Sequence, residues 1–264
     1  MCVRAGTSPA ELRRSVESTA RSLRKGDAFF IHVDGDTSLP GVNGELLASP
    51  ASWEICFSSK RIGLAAGLNR LIETVLCEGC YEFRARMDAD DESVPDRFKN
   101  QLAFLECNPV VDILGGLCNE IDETGKHLRC KKLPIAHEEI IESLPKRNPL
   151  NHPTVVLRQH VFEKGIRYRT DVGLVEDWHL WVDAATLGFK FANLNKVVLN
   201  FSRSRDFFKK RGGWKQSLAE WRIRKYARKQ LKASGLPNFC YALGVSALRL
   251  CPSYIQKTTY EIVG

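Results

Sequence analysis

Residues 81–91 have the sequence YEFRARMDADD, and this stretch decides the fold class. Tyr81–Met87 predicts a β-strand that runs directly into the acidic turn Asp88-Ala89-Asp90-Asp91. A second predicted strand, Ala28–Asp34, also ends in an acidic turn, because Gly35 and Asp36 follow Asp34. Carboxylates therefore stand at the ends of two predicted strands, which is where open α/β sheets bind their ligands.

Strand and helix signals alternate on both sides of this stretch. Such alternation predicts an α/β fold, with a mostly parallel central sheet covered by helices on both faces. The other strands are expected at 53–57 and 111–117, and helices are expected after Pro9, over 64–76 and after Pro95.

The acidic turn at 88–91 calls for a counter-charge, because three carboxylates within four residues repel each other. Mg²⁺ or Mn²⁺ would supply it, since such ions take one or two carboxylates together with substrate phosphates. A solvated acidic turn that caps the helix after Pro95 is the alternative, and spacing alone leaves both interpretations open.

The positive charge of the chain is concentrated near its C-terminus. The net charge is +8, and the stretch from Arg203 to Lys232 holds twelve basic and two acidic residues. We place a boundary near Arg205, between a body at 1–205 and a basic helical segment at 206–264. Such a segment either binds the phosphate groups of lipid, nucleic acid or substrate, or forms a solvated helical face.

An ordered set of short blocks resembles family 2 glycosyltransferases of the GT-A fold. It is most similar to the branch that builds bacterial exopolysaccharide and O-antigen repeats, the amylovoran type. The resemblance covers most of the chain. It is carried by RMDADD at 86–91, PDRF at 95–98, DILGG at 112–116, NPLNHPT at 148–154, EDWHLW at 176–181 and RGGW at 211–214.

The resemblance implies a role for each acidic position. Asp34 is expected at the nucleotide base, and Asp88 near the ribose. Asp90 is expected on a divalent cation, Mn²⁺ or Mg²⁺, that bridges the donor diphosphate, and Asp177 is the expected catalytic base. Three further residues are expected near the acceptor or the metal: Asp91, His152 and Glu176.

The implied activity is the transfer of a sugar, with inversion, from a nucleotide-sugar donor, expected to be a UDP-sugar. The acceptor would be a growing surface polysaccharide or a saccharide carried on polyprenyl diphosphate. The basic segment would hold the enzyme at anionic lipid on the cytoplasmic face of the inner membrane, with Trp214 and Trp221 at the interface. The family's usual first strand is expected to be mostly missing, because the chain starts at Met1-Cys2-Val3-Arg4.

Other classes of protein fit the sequence less well. A non-catalytic nucleic-acid or polyanion-binding protein could use the same basic segment, but it would have no use for Asp177, and no nucleic acid is expected as a partner. A nucleotidyltransferase would want a Gly-rich phosphate loop before the acidic turn. No apolar run reaches the ~18–20 residues of a spanning helix. Nine scattered cysteines fit a reducing cytoplasm, and Cys77 and Cys80 form an isolated CxxC without zinc spacing.

Overall fold

The computed structural model describes residues 1–39, 51–79, 81–204, 206–210, 212–233 and 236–263. Three positions used in the sequence analysis, Cys80, Arg205 and Arg211, lie outside these residues. Within the described part, the chain begins with a parallel sheet ordered β1-β2-β3, made of β1 (Cys2–Arg4), β2 (Ala28–Asp34) and β3 (Ser52–Ser58). Two helices accompany it, α1 (Pro9–Ala20) and α2 (Leu64–Glu78).

A second sheet follows in the middle of the chain, ordered β4-β8-β6-β9-β5 with β7 paired to β6. Its longest ladder is the parallel pairing of β6 with β9, and its other pairings are short and antiparallel. The strands are β4 (Phe83–Ala85), β5 (Glu92–Ser93), β6 (Ile113–Asp122), β7 (His127–Lys131), β8 (Val156–Arg158) and β9 (Phe191–Arg203).

The two sheets meet where β1 lies beside the acidic turn. A parallel bridge joins Cys2 to Asp88, just beyond the end of β4. The fold is therefore α/β, as predicted, and parallel pairing provides its longest ladders. The first strand, expected to be mostly missing, is present as a three-residue strand that pairs with β2.

Close packing between β6 and β9 depends on two glycines. A Cβ atom on Gly115 would lie 2.0 Å from Asn193 Oδ1, and one on Gly116 would lie 2.6 Å from a methyl group of Val198. Larger side chains at these positions would force the two strands apart. This explains why DILGG, at 112–116, lies at the start of the central ladder.

Short helices connect the strands of the second sheet, and α6 fills much of the core. Leu180 and Trp181 of α6 are completely buried in the core cluster that also contains Ile113 of β6 and Phe191 of β9. The five consecutive residues 178–182 are all buried, so the core covers this helix on most sides. The helices of this part are α3 (Arg97–Cys107), α4 (His137–Ser143), α5 (Gln159–Glu163) and α6 (Glu176–Thr186), with a 3₁₀ turn at His152–Thr154.

The basic C-terminal segment is helical, as expected, and part of it belongs to the core. Ile223 and Ala227 are fully buried in the cluster that contains α6. Arg224 and Glu220 form a buried ion pair at 2.9 Å, and Arg249 reaches the same glutamate at 2.8 Å. The helices here are α7 (Phe207–Lys210), α8 (Trp214–Gln230), α9 (Leu236–Leu250) and α10 (Ser253–Val263).

None of the helices in the described ranges is both long and apolar enough to cross a membrane.

Candidate active site

Asp34 lies at the end of β2 and accepts hydrogen bonds from the backbone just before α2. Its Oδ1 accepts a hydrogen bond from the Ile62 amide at 2.7 Å, and its Oδ2 accepts one from the Gly63 amide at 3.0 Å. The carboxylate thus satisfies backbone donors just before α2 begins, where negative charge is favoured. It is almost completely buried, and Cys2 lies between it and Asp88.

The three carboxylates of the acidic turn have different surroundings. Asp88 pairs with Arg86 at 2.6 Å, and although burial opposes ionisation, this guanidinium keeps the pKa of Asp88 below its usual range. Asp90 is exposed. Asp91 is buried and accepts a hydrogen bond from the Ser202 amide at 3.0 Å. Burial and the neighbouring Asp90 and Asp88 raise the pKa of Asp91 well above its usual value.

Arg86 connects the acidic turn to His152. The guanidinium Nε donates to His152 Nε2 at 3.2 Å, while Nη2 holds Asp88. The Tyr168 hydroxyl lies 2.8 Å from the same imidazole nitrogen. Burial, followed by the charge of Arg86, lowers the pKa of His152 to about 3, so the ring is neutral and Nε2 is its acceptor nitrogen.

Glu176 and Asp177 form the first turn of α6, so the sequence EDW places both carboxylates where helix amides are unpaired. Asp177 Oδ1 accepts the Trp178 amide at 2.7 Å, and Oδ2 accepts Asn148 Nδ2 at 2.6 Å. Glu176 is buried; this burial, then the charges of Asp177 and Asp88, raise its pKa to about 7. The His152 ring, which Arg86 contacts, packs against Trp181 of α6 with ring centroids 6.1 Å apart, so His152 links the acidic turn to α6.

The loop before α6 is fixed to α2 by a paired contact. Asn69 Nδ2 donates to the Tyr168 carbonyl at 2.8 Å, and Asn69 Oδ1 accepts the Tyr168 amide at 2.9 Å. Arg167 adds an exposed ion pair with Glu73 of α2 at 2.6 Å. Helix α2 therefore has two contacts with the site: the amides just before it bind Asp34, and its own Asn69 holds the segment that leads to Glu176.

Sequence reasoning identified the carboxylates but assigned no role to the groups that connect them. Arg86 and Asn148 stand inside two of the motif blocks, so those blocks contain a signal for them. Tyr168 lies outside every block, and only its contact with His152 reveals it. The structure connects Asp88 through Arg86 to His152 and through His152 to Trp181 of α6, the helix that begins with Glu176 and Asp177, while Asp34 lies on the far side of β1 from Asp88.

The donor set of the acidic turn fits a hard divalent cation. Within the described ranges, no three His, Cys, Asp or Glu side chains converge on one point. Mg²⁺ and Mn²⁺ do not need such a cage when a substrate diphosphate supplies further oxygens. The exposed carboxylate of Asp90 is the accessible ligand, whereas His152 Nε2 already accepts from Arg86.

Two other features lie apart from this site. A cavity of about 430 Å³ opens between β2, α2 and β4 and is lined largely by apolar side chains, including Phe30, Leu68 and Phe83. It touches Arg86 and Tyr168 but none of the candidate carboxylates, so we assign no part of the reaction to it. Cys77 is exposed and is a free thiol.

Comparison with known proteins identifies the class. No family model matches the chain. The amylovoran biosynthesis glycosyltransferase AmsE of Erwinia amylovora is 30% identical over 261 residues, covering 96% of this chain and 93% of the relative. The UDP-Gal:α-D-GlcNAc-diphosphoundecaprenol β-1,3-galactosyltransferase of Escherichia coli is 27% identical over 220 residues, covering 81% and 76%.

Solved structures share the fold at low identity. S. aureus TarS 1–349 in complex with UDP-GlcNAc has a TM-score of 0.60 at 14% identity, covering 96% of this chain and 81% of that chain. The mannosyltransferase PcManGT of Pyrobaculum calidifontis, in complex with GDP-Man and Mn²⁺, has a TM-score of 0.55 at 15% identity, covering 99% and 83%. The architecture is that of a GT-A glycosyltransferase.

The chain belongs to the glycosyltransferase family that includes AmsE. This confirms the resemblance read from the motif blocks. It also establishes sugar transfer in polysaccharide biosynthesis as the activity.

Proposed function

We propose that the protein is an inverting, metal-dependent family 2 glycosyltransferase that moves a sugar from a UDP-sugar to a lipid-linked saccharide. The observation that carries the proposal is the chain of contacts from Asp88 to α6: Arg86 binds both Asp88 and His152, and the His152 ring packs against Trp181 of the helix that begins with Glu176 and Asp177. The names of relatives support the substrates, since one acts from UDP-Gal on a diphosphoundecaprenol-linked sugar and TarS is complexed with UDP-GlcNAc.

The donor half of the site consists of Asp34, Asp88 and Asp90. Asp34 and Asp88 would face the nucleoside, and Asp90 would hold Mn²⁺ or Mg²⁺; PcManGT is found in complex with GDP-Man and Mn²⁺. When bound, the cation neutralises charge that develops on the leaving diphosphate. Arg86 keeps Asp88 ionised and fixed, so that the pocket is organised before the donor arrives.

The acceptor half contains one base. Asp177 takes the proton of the acceptor hydroxyl as its oxygen bonds to the anomeric carbon. The bond from that carbon to the diphosphate oxygen breaks, and its electron pair leaves with the nucleoside diphosphate. Attack opposite the leaving group inverts the configuration. Asp91, Glu176 and His152 border this site, and His152 remains neutral beside Arg86.

We propose the membrane surface as the place of reaction, on the cytoplasmic face. The exposed stripe of α8 combines Trp214 and Leu218 with basic side chains. Each basic residue near an anionic surface contributes about 1 kcal/mol. The exposed members of this stripe are Trp214, Leu218, Arg222, Lys225 and Lys229. Exposed apolar residues also occur on α9 and α10, namely Tyr241, Leu243, Leu250 and Tyr254.

A panel of nucleotide sugars tests the proposed reaction. Purified protein, Mn²⁺ and a polyprenyl-diphosphate-linked saccharide are incubated with each donor, and release of nucleoside diphosphate is measured. We expect UDP release with one UDP-sugar and a product of inverted anomeric configuration. Retention of configuration, or equal turnover with excess chelator, would contradict the proposal. Salt-sensitive binding of DNA or RNA without any transfer would favour the polyanion-binding alternative.

Vesicle flotation tests whether the exposed stripe of α8 binds anionic lipid. Because Ile223 and Ala227 of α8 are core residues, truncation after Ser204 would damage the body, so surface variants are the better probe. Charge reversal of Arg222, Lys225 and Lys229 should abolish flotation with anionic vesicles at low salt. Unchanged flotation of a folded triple variant would show that the stripe is only a solvated face.

A further inference from the structure

The turn that follows α4 is built around Asn148. Its side-chain Oδ1 accepts the Leu150 amide at 3.2 Å, which is an Asx-turn. Leu150 is buried, and the Pro149 carbonyl accepts a hydrogen bond from Asn193 Nδ2 at 3.0 Å. Asn193 is itself buried in the β6–β9 ladder, so the turn is fixed at both the backbone and the side chain.

This arrangement sets the direction of the Asn148 amide. Because Oδ1 faces the Leu150 amide, the Nδ2 group must point away from the turn. It points at Asp177 and donates to Oδ2 at 2.6 Å. The other oxygen of Asp177 accepts the Trp178 amide at 2.7 Å. Two donors from separate parts of the chain therefore hold the carboxylate, one on each oxygen.

We propose that Asn148 is a positioning residue that orients the Asp177 carboxylate toward the acceptor hydroxyl. The role rests on the proposed function, in which Asp177 is the base. A donor on Oδ2 stabilises the ionised carboxylate and stops rotation about its Cβ–Cγ bond, leaving the remaining lone pairs in fixed directions. By contrast, the buried Oε2 of Glu176 has no hydrogen-bond partner within the described residues.

The alternative is that Asn148 only shapes the turn. Two substitutions separate the possibilities. Asn148→Ser keeps a side-chain oxygen that can accept the Leu150 amide, adds no charge and is too short to donate to Asp177. Asn148→Ala removes both contacts. A turn-forming role predicts that Asn148→Ser behaves like the parent enzyme, whereas a positioning role predicts that both variants lose turnover.

The experiment measures kcat, donor KM and thermal stability of both variants, with the UDP-sugar identified by the panel. We expect kcat to fall by about 10²-fold, the usual consequence of a misplaced reacting group, while donor KM changes by less than about threefold. Asn108→Ser is the matched control: this amide lies outside the site and donates to the Phe104 carbonyl at 2.8 Å. It should retain parental turnover.

Each result has one meaning. Parental kcat in Asn148→Ser would overturn the positioning role, as would a loss that appears mainly in donor KM. If Asn148→Ala fails to fold, Asn148→Ser decides alone because it keeps an acceptor for the turn. Asp177→Asn is measured in parallel, and its full activity would refute the base assignment itself. Inactive Asp177→Asn with parental Asn148→Ser would refute only the role of Asn148.

Discussion

The carboxylates of the acidic turn and those of the α6 N-terminus are chemically alike but differ in how their charge is compensated. Asp88 has a guanidinium at 2.6 Å, and Asp90 faces solvent. Glu176 has neither and is held beside Asp177 in a buried position, which raises its pKa to about 7. Asp91, in the acidic turn itself, is also buried and its pKa is also raised, so the surroundings rather than the residue type decide which acids are charge-compensated.

Arg86 stands between the two regions and makes them different. It compensates Asp88 on one side, and on the other it adds to the burial that lowers the pKa of His152. In the proposed function, the donor half binds a cation and a diphosphate, whereas the acceptor half receives a proton. The predictions below separate these halves.

Removal of the metal ligand should have the largest effect. Asp90→Ala, or chelation of the parent enzyme, should reduce nucleotide release to the background of the buffer, because the leaving diphosphate loses its counter-charge. Mn²⁺ should restore the parent but not the variant. Asp96→Asn changes an exposed carboxylate six residues along and should retain full turnover. Chelator-resistant activity in Asp90→Ala would show that the turn binds no catalytic metal.

Loss of the base should be the next largest effect. Asp177→Asn should lower kcat by about 10²–10⁴-fold, which is the usual contribution of general-base assistance. Single-turnover kinetics with the identified UDP-sugar measures it. Asp171→Asn, an exposed change in the preceding loop, is the control. If Asp177→Asn turns over normally, Glu176 becomes the candidate base.

Removal of Arg86, which contacts both Asp88 and His152, should destabilise the fold. Arg86→Met leaves Asp88 without its buried partner, and removal of one member of such a pair typically costs about 3–5 kcal/mol. Urea unfolding gives the value. The control is Arg24→Met, because Arg24 is exposed and its pair with Asp27 at 3.5 Å should contribute at most about 1 kcal/mol. A loss as small as that of the control would mean that Arg86 does not separate the two halves.

The smallest effect concerns the pH dependence of stability through Glu176. Its pKa is about 7 in the folded protein against 4.5 ordinarily, so the folded state binds the proton more tightly. The parent should therefore lose stability as the pH rises from about 4.5 to 7. Glu176→Gln lacks this loss and should be more stable at pH 8 by roughly 3 kcal/mol, with the gap closing near pH 4.

Unfolding curves of the two proteins at several pH values provide the test. Glu106→Gln, at an exposed position on α3, should show no such pH-dependent gap. A constant difference between Glu176→Gln and the parent across this range would mean that Glu176 is ionised in the folded protein.

Local patterns predicted the elements well where neighbours along the chain determine them. The strand Ala28–Asp34 and the helix beginning at Leu64 appear where apolar spacing indicated them. The strand expected over 81–87 is shorter, Phe83–Ala85, because Arg86 turns inward to meet His152. The antiparallel strands of the second sheet were not anticipated, since pairing direction depends on residues far apart in sequence.

The candidate site divides in the same way. Its carboxylates could be read from the motif blocks, but Tyr168 and the donor role of Asn148 could not. Their contacts join residues 16 and 29 positions apart, respectively, and depend on how the loop before α6 folds back. The burial of Asp91 beneath Ser202 likewise requires β9 to be in place.

Titration calorimetry of UDP with Mn²⁺ tests the division of the site most directly, with Asp90→Ala and Asp177→Asn measured side by side. Binding to Asp177→Asn should match that of the parent, since the base acts on the acceptor hydroxyl. Binding to Asp90→Ala should lose its dependence on Mn²⁺. Equal loss of UDP affinity in both variants would contradict the account, because the donor and acceptor halves would then not be separate.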